Sequence, residues 1–183
     1  MGGNRPRRTN ELIGEIVKDD PLAFTKNRCS DNARMVLTKA EGIEFDIWFD
    51  KHYYHRERHG DDDGKREGIS HDLVQQLIID AAKHLLFYSI KVKGFSFVNF
   101  ELTMRNKRIT ITQNLKEETK LNIVAEYHYL NLNRYEVTVI TALRKDDFHF
   151  SDGEYQIEIH LDGTSSLFKM ERRNIKIADQ YLK

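Results

Sequence analysis

The chain has 183 residues, 39% of them hydrophobic and 32% charged, and its Lys and Arg balance its Asp and Glu to a formal net charge of +0. A chain of this length can bury a core without metals or disulfides. Its neutrality argues against a general polyanion binder, which needs clustered cations. The single cysteine, Cys29, excludes an internal disulfide and fits a reducing compartment. No apolar run is long enough to span a bilayer as a helix, and the basic N-terminus lacks the apolar stretch of a secretory signal. The expectation is a cytoplasmic protein without membrane association, with residues 1–8 as a loose Gly/Pro/Arg-rich tail and residues 9–183 as a single domain.

In chain order, Thr9 or Asn10 caps a short helix carrying Leu12, Ile13, Ile16 and Val17, which Asp20-Pro21 ends. Residues 22–29 are ambiguous, and Ser30-Asp31-Asn32 reads as a turn. Residues 33–40 form a candidate strand that Glu41-Gly42 turns into the next. There Ile43, Phe45, Ile47 and Phe49 alternate with Glu44, Asp46, Trp48 and Asp50, the pattern of a strand with one face in the core. Residues 51–59 lack apolar alternation and fit a short helix or turn, and residues 60–64 read as a loop. Ser70 caps a long helix over roughly residues 70–88, with Val74, Leu77, Ile78, Ala81, Ala82, Leu85 and Leu86 as its apolar stripe.

The second half is strand-rich. Residues 89–102 read as one or two strands around Gly94, Arg105-Asn106-Lys107 as a hairpin turn, and residues 108–113 as a strand. Residues 121–130 and 134–143 form a hairpin around Asn131-Leu132-Asn133. Asp152-Gly153 precedes an alternating run with Tyr155, Ile157, Ile159 and Leu161. The tail from Ser165, with Leu167, Met170 and Ile177, is a candidate terminal helix. This order predicts an α+β fold: an antiparallel sheet of about four to six strands packed by one long helix, with short N- and C-terminal helices.

The densest chemistry lies in residues 50–70. In a helical reading His52, His55, Arg56 and His59 share neighbouring positions. Histidine can shuttle protons near neutral pH, and arginine can grip a phosphate with two parallel hydrogen bonds. Together these groups suit RNA cleavage by the 2′-hydroxyl without a metal. The bland reading of the same residues is a solvated, salt-bridged turn. His52, His55 and His59 with Asp61, Asp62 and Asp63 also form a metal-ligand set suited to zinc, manganese or iron. No motif such as H-E-x-x-H is complete and a solvated acidic loop is the simpler account, so no metal or other cofactor is expected. His71 reads as a cap-associated surface residue, His84 as a helix-surface or core-edge residue, and Cys29 as a structural thiol. Phe95, Phe97, Phe100, Tyr127, Tyr129 and Tyr135 offer faces for base stacking, although aromatics on alternating strands more often serve a core. Phosphate loops, C-x-x-C pairs and G-x-S-x-G elbows are missing, which removes support for nucleotide-hydrolysing, dinucleotide-binding, zinc-ribbon and α/β-hydrolase classes.

The string His52-Tyr53-Tyr54-His55-Arg56, then Arg66-Glu67-Gly68-Ile69-Ser70, then Val74 on a helix, resembles a signature of small endoribonuclease toxins. It is similar to the H-x-x-x-R…R-x-I-S-x-x-x-V pattern of the RelE/RegB-like, barnase–EndoU–colicin–RelE type. The resemblance implies a metal-independent endoribonuclease, toxin- or phage-RNase-like, with RNA as substrate. It implies His52 and Arg56 as active-site residues, Arg66 as a phosphate contact, and Thr138 or Thr141 as supporting substrate-binding residues on a later strand; in an endoribonuclease His55 would assist catalysis and Arg58 substrate binding. Residues 59–65 are an acidic insert relative to that pattern and would repel RNA at Arg66. The alternative is a non-enzymatic binding or inhibitor protein, phage-encoded or accessory. It would dock onto a protein partner or a second copy, with acidic patches at Asp61–Asp63 and Asp146-Asp147 mimicking nucleic acid. A metal-dependent hydrolase on the histidine cluster is a third reading.

Overall fold

The computed structural model describes residues 25–40, 42–51, 53–54, 69–101, 105–114, 120–131, 133–151 and 153–182. These form β1 (Ala33–Ala40), β2 (Ile43–Asp50), α1 (His71–Lys91), β3 (Val98–Asn99), β4 (Ile109–Asn114), β5 (Lys120–Asn131), β6 (Arg134–Arg144), β7 (Tyr155–Ile159), β8 (Ser165–Glu171) and β9 (Asn174–Tyr181). The strands make one sheet in the order β1-β2-β6-β5-β4-β7-β8-β9, with β3 paired to β5.

α1 forms where the apolar stripe is continuous. Ser70 is extended and its hydroxyl accepts the Leu73 N–H at 3.3 Å, with Asp72 in the first turn and Lys91 in the last, both favourable to the helix dipole. Val74, Leu77, Ile78, Ala81, Leu85 and Tyr88 bury against the sheet. A buried leucine such as Leu77 stabilises by about 1.5–3 kcal/mol relative to exposure.

Register follows from the alternation. In the parallel pairing of β2 with β6, Phe45, Ile47 and Phe49 sit beside Tyr135, Val137 and Val139. In the antiparallel pairing of β5 with β6, Val137 and Val139 sit beside Tyr127 and Ala125. Every one of these is in or against the core beneath α1. A slip of one residue would turn all of them to the other face.

The expected antiparallel sheet of four to six strands is overturned. The described residues hold nine strands in a mixed sheet, with β2·β6, β3·β5 and β4·β7 parallel. Parallel neighbours need long crossovers, and the connection from β2 to β6 contains α1. The expected C-terminal helix is overturned as well. From Ser165 onward the chain forms β8 and β9, joined through Arg172 and Arg173 in positive φ. The tail reads as strand because Leu167 and Ser165 bury toward α1 while β9 completes the pairing. Arg105-Asn106-Lys107 does not turn a hairpin: β3 is two residues long and pairs in parallel with β5, not with β4. The expected short N-terminal helix lies outside the described residues.

Candidate functional site

On the sheet face away from α1 the side chains between the apolar positions form two polar rows. Trp48, Thr138 and Glu126 are side by side on β2, β6 and β5, and Asp46, Glu136 and His128 make the next row. All six are buried. A half-buried strand was expected at β2; instead its polar positions are covered too. The Arg134 guanidinium donates twice to one Asp46 oxygen, at 3.0 and 3.1 Å, and so compensates that buried charge.

Part of the cover is the loop over residues 25–32. Thr25 and Ala33 exchange backbone hydrogen bonds at 2.9 Å and close it at its base. The Asn27 amide donates to the Thr138 hydroxyl, while its carbonyl oxygen accepts the backbone N–H of Cys29 and Ser30. The Arg28 N–H donates to Glu136 Oε1 at 2.9 Å, and the Ser30 hydroxyl to the Asp50 carboxylate. The Lys51 N–H donates to Asn32 O at 2.8 Å, so this loop is fastened both to the polar rows and to the residue after β2.

Glu126 is the hub. Its carboxylate accepts from Arg108 Nε at 2.9 Å and from Asn106 Nδ2 at 3.1 Å, and lies 3.4 Å from His128 Nε2. Burial alone would raise its pKa, but hydrogen bonds from His128, Arg108 and Cys29 outweigh burial and hold it at about 2. The Cys29 thiol moves the other way, pushed up by burial and then by Glu126. It therefore stays protonated, and is not a poised thiolate. Beside this hub is an open cavity of about 540 Å³ lined by Cys29, Arg105, Asn106, Arg108, Glu126 and Glu154. Arg105 is exposed and Glu154 half-buried, and Glu154 Oε2 accepts the Ser151 N–H at 3.1 Å. Two guanidiniums facing two carboxylates can bind a phosphate and leave one carboxylate, Glu154, within reach of solvent.

Of the residues singled out in the sequence, His52, His55, Arg56, Arg58 and Arg66 lie outside the described residues, as do His59 and Asp61–Asp63. Their flanks are described. The Tyr53 hydroxyl donates to the Ile69 carbonyl, which ties together the two ends of the charged segment. His71 packs on Phe49, Tyr53 and Tyr54 with ring centroids 4.6, 5.2 and 5.1 Å away. Burial lowers its pKa, so it is part of an aromatic clamp and not a surface cap residue. Thr138 is buried under Asn27, and Thr141 pairs with Val124 beyond a bulge in β6, half-buried. His84 is buried in the helix core, and His149 is exposed beyond the end of β6. Phe95, Phe97 and Tyr127 are core; Phe100 is exposed, 5.7 Å from Tyr129.

Sequence reasoning missed Glu126, Glu136, Arg108 and Cys29 as one cluster. Part of the signal was present: Glu126 and His128 on β5 and Arg134 and Glu136 on β6 alternate with Ala125, Tyr127, Tyr129, Tyr135 and Val137. What could not be read was the loop that bonds to Thr138 and Glu136 and brings Cys29 beside Glu126. No protein-family model, no curated protein and no solved structure matches the chain.

Proposed function

We propose that the protein is a metal-independent endoribonuclease whose scissile phosphate binds in the cavity beside Glu126. The observation that carries this reading is the convergence of Arg105, Arg108 and Glu154 around one open, polar cavity. Arg105 and Arg108 hold the phosphate and offset its growing charge. Glu154 takes the proton from the 2′-hydroxyl. The 2′-oxygen then attacks phosphorus, the bond to the 5′-oxygen breaks, and that oxygen leaves with a proton. His52 and His55 are the proposed donors of this proton, with Arg56 as a further phosphate contact; these three roles rest on the sequence. The supporting relation is that loop 25–32 bonds to Lys51, where their segment begins, and carries Cys29 into the cavity lining. Glu126 and Asn106 act through Arg108 as positioning residues.

The test is cleavage of end-labelled single-stranded RNA in excess chelator. The expected products end in 2′,3′-cyclic phosphate and 5′-hydroxyl. Arg105→Ala, Glu154→Gln and His52→Ala are each expected to slow cleavage by about 100-fold or more while the melting temperature holds. Intact RNA with the native chain, or undiminished cleavage by all three variants, would remove the reading.

A second reading, a non-enzymatic binding protein, is favoured by β9. It is an edge strand of the sheet, and Ile175 and Ile177 are exposed on it. Strand-to-strand pairing with a second copy would then be lost in Ile177→Lys, as read by sedimentation.

A further inference from the structure

A second groove adjoins the cavity and shares Arg105, Asn106, Arg108 and Glu154 with it. Its volume is about 440 Å³, the scale of a pocket for one small organic group. Its lining is unlike that of the cavity. Phe95 and Phe97 form part of it, and the Tyr155 ring stands edge-on to Phe95 with centroids 4.8 Å apart. Lys169 Nζ lies 5.7 Å from the Tyr155 ring centroid. An aromatic wall with cations at its margin matches the two faces of a nucleotide, a flat base and a charged phosphate.

The groove continues. Gly153 and Lys169 also line a third concavity that reaches Arg172 and Lys176 at the β8–β9 turn. Across the three, six cationic side chains face three carboxylates. Two of those carboxylates are already engaged: Glu126 by Arg108, and Glu171 by Lys169 at 2.8 Å and Lys176 at 2.9 Å. Arg105 and Lys107 are exposed and have no acidic partner among the described residues. The turn itself is built from Arg172 and Arg173 at φ 51° and 66°. Left-handed backbone disfavours side chains, and such turns prefer Asn-Gly. Arg172 puts positive charge at the end of the groove, and the left-handed pair carries a cost in stability.

We infer that this groove is a binding track for single-stranded RNA. One base stacks against Tyr155 above Phe95 and Phe97. Arg105 and Lys107 hold the phosphate on the cavity side, and Lys169, Arg172 and Lys176 hold the phosphates on the hairpin side. An unpaired strand is required, because the bases of a duplex face inward and cannot reach an aromatic wall. The inference rests on the nuclease reading for the chemistry at the cavity, but binding and cleavage separate experimentally.

The probe is a short fluorescein-labelled 2′-O-methyl oligouridine, which lacks the attacking hydroxyl, titrated with the full chain by anisotropy over a range of salt. Arg105→Glu and Lys107→Glu are expected to weaken binding several-fold and to flatten the log–log salt slope by about 0.7 for each phosphate left without its cation. Tyr155→Leu is expected to weaken it about tenfold at every salt, while Tyr155→Phe, which keeps the ring, recovers most of that loss. Lys83→Glu, on the exposed side of α1, changes nothing. An RNA duplex competes poorly. Native-like binding by Lys107→Glu and Tyr155→Leu, or a duplex that binds as tightly as the single strand, overturns the track. If the binding pattern holds but ordinary RNA stays intact, the nuclease reading fails and the track stands. If RNA is cleaved but these variants bind normally, the reverse holds.

Discussion

Arg108 Nε donates to Glu126 Oε1 at 2.9 Å, and the two ends of that bond live in different media: the Glu126 side chain is 2% exposed and that of Arg108 49%. A buried anion is thus held ready by a cation that can still face a ligand. Removing the cation strands the anion. Arg108→Ala is expected to cost about 1–3 kcal/mol, discounted for the exposure of Arg108, and Glu126→Gln less. Urea midpoints of the two variants measure this.

The hydrogen bonds that Glu126 accepts, from His128 first and then from Arg108, predict acid sensitivity. Glu126 is held at about 2 against an ordinary 4.5. A depressed carboxyl contributes stability that is complete above the unfolded value and is lost as pH falls through the folded one. Stability should therefore decline between about pH 4.5 and pH 2, and Arg108→Ala should flatten that decline. Unfolding midpoints measured across this range test the sign.

His84 acts over a higher window. Burial, and then Lys83, lower it from 6.5 to about 4, and its Nδ1 shares a hydrogen bond with Ser165 Oγ at 3.0 Å. The unfolded chain takes a proton below pH 6.5 that the folded chain refuses until about pH 4. Stability from this group is complete above 6.5 and declines as pH falls toward 4. His84→Gln is expected to be less stable at pH 7 but to lose less between pH 6.5 and pH 4.

Two buried tyrosines should respond in opposite ways to loss of the hydroxyl. The Tyr88 hydroxyl donates to Ser165 O at 2.8 Å and accepts the Tyr181 N–H at 2.9 Å, fastening β8 and β9 to α1. Tyr88→Phe is expected to cost about 1–3 kcal/mol and to speed amide exchange in β9. The Tyr127 hydroxyl is buried and has no hydrogen-bond partner among the described residues. Tyr127→Phe is expected to be neutral or to stabilise by up to about 1 kcal/mol.

The β8–β9 turn should trade stability against binding. Replacing Arg172 with Asn and Arg173 with Gly removes two left-handed arginines, and is expected to stabilise by about 1–2 kcal/mol. The same change should weaken the oligouridine complex. A rise in melting temperature with unchanged affinity would take the turn out of the track.

Several elements were legible because their signal is local. The apolar stripe and Ser70 marked α1 over residues 70–88; it runs on to Lys91 through exposed Ser89 and Ile90, which carry no stripe. Alternation marked β2 and the β5–β6 hairpin to within a residue or two. The tail was misread as helix because Leu167, Met170 and Ile177 are sparse and Arg172-Arg173 carries no turn signature. Only pairing with β7 and the anchor at Tyr88 make that turn worth its strain. Of the candidate site, Thr138 was legible as a strand position facing the polar side. Arg105, Lys107 and Arg108 stand close together in the sequence, but their proximity to Glu126 was not legible.

By itself the sequence determined which residues alternate and which recur at helical spacing, since backbone periodicity alone places side chains on faces. It thereby set α1, the core strands and the separation of apolar from polar positions. The tertiary structure alone decided that β2 runs parallel beside β6, that loop 25–32 covers part of the polar face, and that Arg105, Arg108, Glu126 and Glu154 meet. Those contacts join residues far apart in the chain. They depend on sheet order and loop closure, and neither leaves a periodic trace in the order of residues.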